Sequence, residues 1–252
     1  MTAPKDFNDS TLWRISAYER ACAETAHSGF ARLAGNSVLP STLHAELLHL
    51  QHVQRSGNAL EVVAACIRQR ESALIILRHR GLVWPLTLFP QSNLYHLPRS
   101  LVEELHHGGR DIEVIDVEPP GLRPPGHVMH ERVADRPGYR HLPPLLWALA
   151  LHTPGGRLLE EIGGHAAYRV AAGCTDDGAL GGALQSSFVR LRSEIASQRD
   201  IARWPGMDAE RAARLLNGVY LQGELIVLRS HRAAHAEVAT HRGLMDRFRS
   251  KR

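Results

Sequence analysis

Lysine is nearly absent from this chain: of its 30 basic residues only Lys5 and Lys251 are lysines, and the rest are arginine. Cysteine is scarce as well. Cys22, Cys66 and Cys174 are odd in number and far apart, which excludes a disulfide framework and a zinc knuckle. No long hydrophobic run occurs. The longest, residues 142–151, contains Pro143 and Pro144 and is about half the roughly twenty residues that a membrane helix needs. The first ten residues are polar, with Asp6 and Asp9, and show no secretory signal. Also missing are the phosphate-loop spacing, the Gly-x-Ser-x-Gly elbow and the His-Glu-x-x-His order of zinc peptidases. These absences predict a soluble protein of bacterial-type cytosol, without membrane insertion, cofactor or catalytic signature.

What is present is an ordinary globular balance, 44% hydrophobic and 22% charged over 252 residues. That is enough chain for one large domain or two smaller ones. Helical spacing is read over residues 10–33 and again over 41–54, where Leu43, Leu47, Leu48 and Val53 form the expected buried stripe. Short Val-, Ile- and Leu-rich runs at 60–67, 73–77 and 83–89, separated by charged turns, predict an antiparallel meander. Pro85 and Pro90 predict that its third strand lies at an edge or ends in a bulge. A short helix over 99–107 and a strand over 112–117 follow, and then four prolines within 119–125 that neither element tolerates. The resulting fold class is α+β. It has three parts: 1–136 as a sensor or docking domain of helices and a small sheet, 137–177 as a helical linker region, and 178–252 as a basic, mainly α domain.

Charge supports that division. The formal net charge is +4, but residues 178–252 hold 13 Lys and Arg against 7 Asp and Glu, a balance of +6, leaving −2 for the remainder. Such segregation is the electrostatic footprint of a nucleic-acid or acidic-protein partner. Within this part, residues 199–229 read RDIARWPGMDAERAARLLNGVYLQGELIVLR. A short helix around Ile201 and Ala202 ends at Pro205 and Gly206, and Asp208 is a good N-cap for a second helix. Along that helix Ala212, Leu215, Leu216 and Val219 fall on one face. Gly223 stops it, and residues 225–228 form a β-run. Phe188, Leu191 and Ile195 supply a preceding helix.

This order resembles the helix-turn-helix and wing of bacterial winged-helix regulators, over about 45 of the residues, and it matches a fold pattern with no specific family. The resemblance implies a second helix whose exposed side, Ala209, Glu210, Arg211, Ala213, Arg214 and Asn217, lies in the major groove. Arg211 and Arg214 would reach guanine or phosphate, Asn217 adenine or phosphate, and Arg229 and Arg232 would stand near the wing. Arg242, Arg247, Arg249, Lys251 and Arg252 would add a basic tail. The exposed face is poor in Ser, Thr, Gln and Lys, and many such modules bind protein instead.

Sixteen histidines invite a metal reading. His49 and His52 share a helical face near His44 and Glu46, and His127 and His130 have the same spacing before Glu131. Structural or surface roles account for them more simply, and no metal site is assigned. Cys66 and the tryptophans Trp84, Trp147 and Trp204 read as core. The function expected is a non-enzymatic regulator, in its DNA-binding form a transcriptional regulator, with duplex DNA or an acidic protein surface as partner and a homodimer as a further option. The alternative is a winged-helix adaptor within a signalling, motility or secretion assembly; a metal-dependent hydrolase is the remote third.

Overall fold

The computed structural model describes residues 12–25, 30, 33, 38–53, 55, 57–107, 112–129, 133–134, 136–152, 156–176 and 178–235. The chain divides into two units, Met1–Pro154 and Gly155–Arg252. Both contain helices and antiparallel strands, so the fold is α+β.

In the first unit, β1 (Trp13–Arg14) leads into α1 (Ile15–Thr25), followed by α2 (Ser41–His52) and α3 (Ala59–Gln69). The sheet strands are β2 (Ala73–His79), β3 (Leu82–Phe89), β4 (Leu94–His96), β5 (Glu113–Glu118) and β6 (Tyr139–His141). Helix α4 (Leu101–His106) precedes β5, and α5 (Leu142–His152) follows β6. All pairings are antiparallel, in the order β5-β2-β3-β4-β6, with β1 added to β3. The β2–β3 register closes on His79 opposite Leu82. Arg80 and Gly81 between them both have positive φ, 49° and 71°, the two-residue turn whose twist matches the strands it joins.

The sheet is covered on both faces. On one side Leu74, Ile76, Val83 and Phe89 pack with Tyr18, Phe30 and Leu122, and the Trp13 ring stacks on Phe30 at 5.6 Å. On the other, Ile75, Leu77, Leu86 and Leu88 are fully buried; α3 packs against α2, α5 and β5, and α4 against α5. Two-sided burial explains why β2 and β3 carry continuous hydrophobic runs instead of alternation.

Four expectations are corrected here. Residues 60–67 are not a strand but the centre of α3. Asn58 caps it by accepting from the Leu60 N–H, and Arg70 closes it in the left-handed conformation. An apolar run buried on nearly every side has no readable period, so strand and helix look alike in sequence. Strand β3 is central, not an edge. Pro85 is tolerated because the side of β3 facing β1 and β4 is paired only at Leu82–Val83 and at residues 87–89, leaving a gap at 84–86. On α2 the buried stripe is Leu43, Leu47 and Leu50, with Leu48 and Val53 exposed. Finally, residues 137–177 are no linker. They supply β6 and α5 to the first unit and β7 to the second, because β6 is hydrogen-bonded to β4 and the chain divides only after Pro154.

The second unit begins with a 3-10 turn (Glu160–Ile162) and continues with β7 (Ala167–Val170), α6 (Gly182–Ser193), β8 (Ala196–Ser197), α7 (Gln198–Ile201), α8 (Ala209–Leu221) and β9 (Leu225–Leu228). Its sheet has the order β8-β7-β9. Helix α8 packs against α6, α7 and β9, burying Ala212, Leu215, Leu216 and Val219 completely. Capping is explicit at both short-range signals. Asp208 accepts from the Arg211 N–H at 2.7 Å, and Ser197 and Asp200 form a reciprocal capping box at α7. Gly206 and Gly223 adopt φ of +73° and +76°, as expected of the turn and the helix stop.

Candidate nucleic-acid interface

The expected reading face of α8 is covered in its second part, where Ala213 and Asn217 are buried, while Ala209, Glu210 and Arg211 stay exposed. Residues 156–162 run across it as a strap, with Leu159 and Ile162 each 1% exposed. Asn217 holds the strap: its Oδ1 accepts from the Leu159 N–H at 3.0 Å and its Nδ2 donates to the Arg157 carbonyl at 2.8 Å. Near the start of α8, Gly156 comes so close that a Cβ there would sit 2.2 Å from Cγ of Glu210. Tyr168 secures the strap's end by donating from its hydroxyl to the Ile162 carbonyl at 2.5 Å.

Asn217, expected on the exposed face, is buried, and so is Ala213. A side-chain amide with both ends engaged offers nothing to a base edge. Arg214 is largely covered, its side chain 17% exposed and paired with Glu210 at 2.6 Å; its Nε is buried without a hydrogen-bond partner. Arg211 is exposed, but its Nη1 donates to the Gly206 carbonyl and its Nε lies 3.9 Å from the Asp208 carboxylate. It therefore tightens the turn before α8. Arg229 donates from Nη1 to the Gly163 carbonyl at 2.9 Å and from Nη2 to the Glu161 carbonyl at 2.7 Å, tying β9 to the strap. Arg232 is exposed, at a 3-10 turn (Arg232–Ala234) capped by His231. The five residues are thus not brought together as one basic surface. Four of them, Arg211, Arg214, Asn217 and Arg229, make contacts within the fold.

The strand expected to begin a wing pairs with an upstream strand. Strand β9 pairs with β7, which precedes α6 in the chain, and among the described residues no hairpin strand follows it. The chain leading to β7 bonds to α8 through Asn217 and to Arg229, just after β9. The basic tail from Arg242 to Arg252 lies outside the described residues.

Several contacts had little sequence signature. Arg190 lies over the Trp204 ring at 4.3 Å and is held by Glu194, four residues on. Glu46, considered beside His44, His49 and His52, is instead engaged by Arg68 and Gln69 of α3. His127 accepts the Met129 N–H on Nδ1 at 3.1 Å, and His130 lies outside the described residues. Among the described residues no three His, Cys, Asp or Glu side chains are grouped to hold a metal ion. Cys66 is buried in α3, where burial pushes its thiol up to about 12. The strap had one faint signal: Asn217 is a polar residue set directly beside the apolar stripe of α8, the usual mark of a side chain that satisfies a neighbouring backbone.

No family model, no curated protein and no solved structure matches this chain. Among the described residues no helix is long and apolar enough to cross a membrane.

Proposed function

We propose that this chain is a non-enzymatic adaptor whose winged-helix-like C-terminal unit contacts an acidic protein surface and does not read duplex DNA through α8. The order α6, β8, α7, capped α8 and β9 supports the winged-helix part of this reading, with β7 supplied from upstream. The observation that carries the choice of partner is the strap. A recognition helix must enter a groove about 12 Å wide with its side chains free, whereas Asn217 is 1% exposed and doubly bonded to residues 157 and 159. Freeing that face would break both hydrogen bonds and uncover Leu159 and Ile162. Arg232 remains exposed, a guanidinium of the kind that pairs with carboxylates.

Two measurements test this. Fluorescence anisotropy with a labelled duplex should show only weak association that vanishes at moderate salt, with Arg211→Ala plus Arg214→Ala changing it little. Tight duplex binding abolished by that double variant, with thermal unfolding unchanged, would overturn the reading. In cells, a photocrosslinking residue at Arg232 should yield a discrete protein adduct that the same residue at Arg20 does not. Identical patterns at both positions would count against an adaptor surface.

A further inference from the structure

Strand β9 leaves one side of its backbone without a partner strand. It stands last in the order β8-β7-β9, and its register with β7 fixes which groups turn outward. The Ala171 N–H donates to the Glu224 carbonyl at 2.9 Å, and the same register continues through Arg169 opposite Ile226 and Ala167 opposite Leu228. Hydrogen-bonded and non-hydrogen-bonded pairs alternate along an antiparallel ladder. Residues 224, 226 and 228 therefore turn their backbone groups towards β7, while Leu225 and Val227 turn theirs away. Among the described residues no strand pairs with that outer side.

Two other edges of this chain are guarded. On β5 the Val114 N–H donates to the Gly57 carbonyl at 3.0 Å and the Val117 N–H to Oδ1 of Asp116 at 2.8 Å, and three of its six residues are acidic. On β8 the Ser197 N–H is taken by Asp200. Strand β9 has no such device: Leu225–Leu228 are all aliphatic, and Ile226 is 42% exposed. A bare aliphatic edge is a template for another strand. Its flanks favour a second copy as that strand. Glu224 precedes β9 and Arg229 follows it, and the carbonyls that Arg229 contacts leave its charge in place. Antiparallel copies lay each acidic end near the other's basic end, whereas parallel copies put like charges together. Residues 155–235 hold 10 Arg against 9 Asp and Glu, a balance of +1, so little net repulsion opposes a second copy.

We infer that β9 pairs antiparallel with β9 of a second copy of this chain, joining two three-stranded sheets into one. A twofold axis at Ile226 sets that residue against its own copy, with Cα atoms about 4.5 Å apart, and makes Leu225 and Val227 of opposite copies hydrogen-bonded pairs on either side. The inference is independent of the adaptor reading. Strands this short bury less than the roughly 1,200 Å² of a stable interface, so the dimer depends on concentration, and sedimentation equilibrium of the full chain should show it. Val227→Pro removes the outward donor and leaves the β7 ladder intact. Ile226→Glu, at an exposed position, places two carboxylates at the axis and keeps the test open should the proline variant not fold. Each should weaken association about tenfold or more. Under mild oxidation Ile226→Cys should form an intermolecular disulfide, its copies lying within reach, while Val227→Cys should not, because residue 227 faces residue 225. A chain that stays monomeric at every concentration, a dimer that both variants leave unchanged, or equal cross-linking at 226 and 227 would overturn the pairing. So would slow hydrogen exchange at the Leu225 and Val227 amides in the monomer, since the edge would then be covered within one chain.

Discussion

At the scale of single residues, Asn217 and His96 carry more of the fold than their chemistry advertises. Asn217 satisfies one buried N–H and one buried carbonyl of the strap. Asn217→Ala leaves both without partners, at a cost of about 1–3 kcal/mol for each group stranded from water. Urea unfolding of the full chain should register this as a lower midpoint. His96 is 1% exposed, lies edge-on to Tyr139 at 4.9 Å, and is so close to Gly138 that a Cβ there would stand 2.3 Å from its Nε2. Burial first, and the Arg140 charge second, hold its imidazole down to about 4. An unfolded histidine takes up its proton near 6.5. Between those values the unfolded chain binds more protons than the folded one, so stability is full above about pH 6.5 and is lost as the pH falls towards 4. The loss attributable to this one ring is on the order of 3 kcal/mol. Unfolding midpoints taken from pH 7 down to 4 should fall less steeply in His96→Gln than in the parent.

At the scale of elements, caps and straps contribute separately. Asp208→Ala removes the acceptor for the Arg211 N–H and should cost about 1 kcal/mol, the ordinary value of a lost N-cap. Leu159→Ala removes a buried side chain of the strap itself and should cost about 2–5 kcal/mol. If calorimetry found the cap variant the more damaging of the two, the strap would be peripheral to the unit's core. The same two elements show what was readable beforehand. Asp208, Gly206 and Gly223 announced α8 because capping and left-handed turns depend on neighbours one to three residues away. Nothing local announced that Leu159 would lie over α8, because that contact spans 58 residues. Helix α3 failed for a related reason: eight of its residues are buried, so the polar face that would have revealed a helical period is missing.

At the scale of the whole molecule, the two units have separate cores. Leu216 belongs to one and Ile75 to the other, and both are completely buried. Leu216→Ala should speed hydrogen exchange in α6 and α8 while β2 and β3 stay protected, and Ile75→Ala should do the reverse. Uniform acceleration everywhere in either variant would show one cooperative unit in place of two. Charge follows the same division only loosely: the +6 balance of residues 178–252 is real, but it is not gathered on α8, where Arg214 is paired with Glu210 and Arg211 lies beside Asp208.

By itself the sequence determined the α+β composition, the hairpin strands, the capped α8 and the β-run after it, since each depends on periods and turn chemistry that act over a few residues. The tertiary structure alone decided which side of α8 meets solvent. That outcome depends on residues 157 and 159, nearly sixty positions away, which give Asn217 two backbone groups to satisfy. Burial of a polar side chain is set by distant chain segments and not by its neighbours in sequence, so Asn217, expected on an open face, became part of the core while Arg211 stayed at the surface.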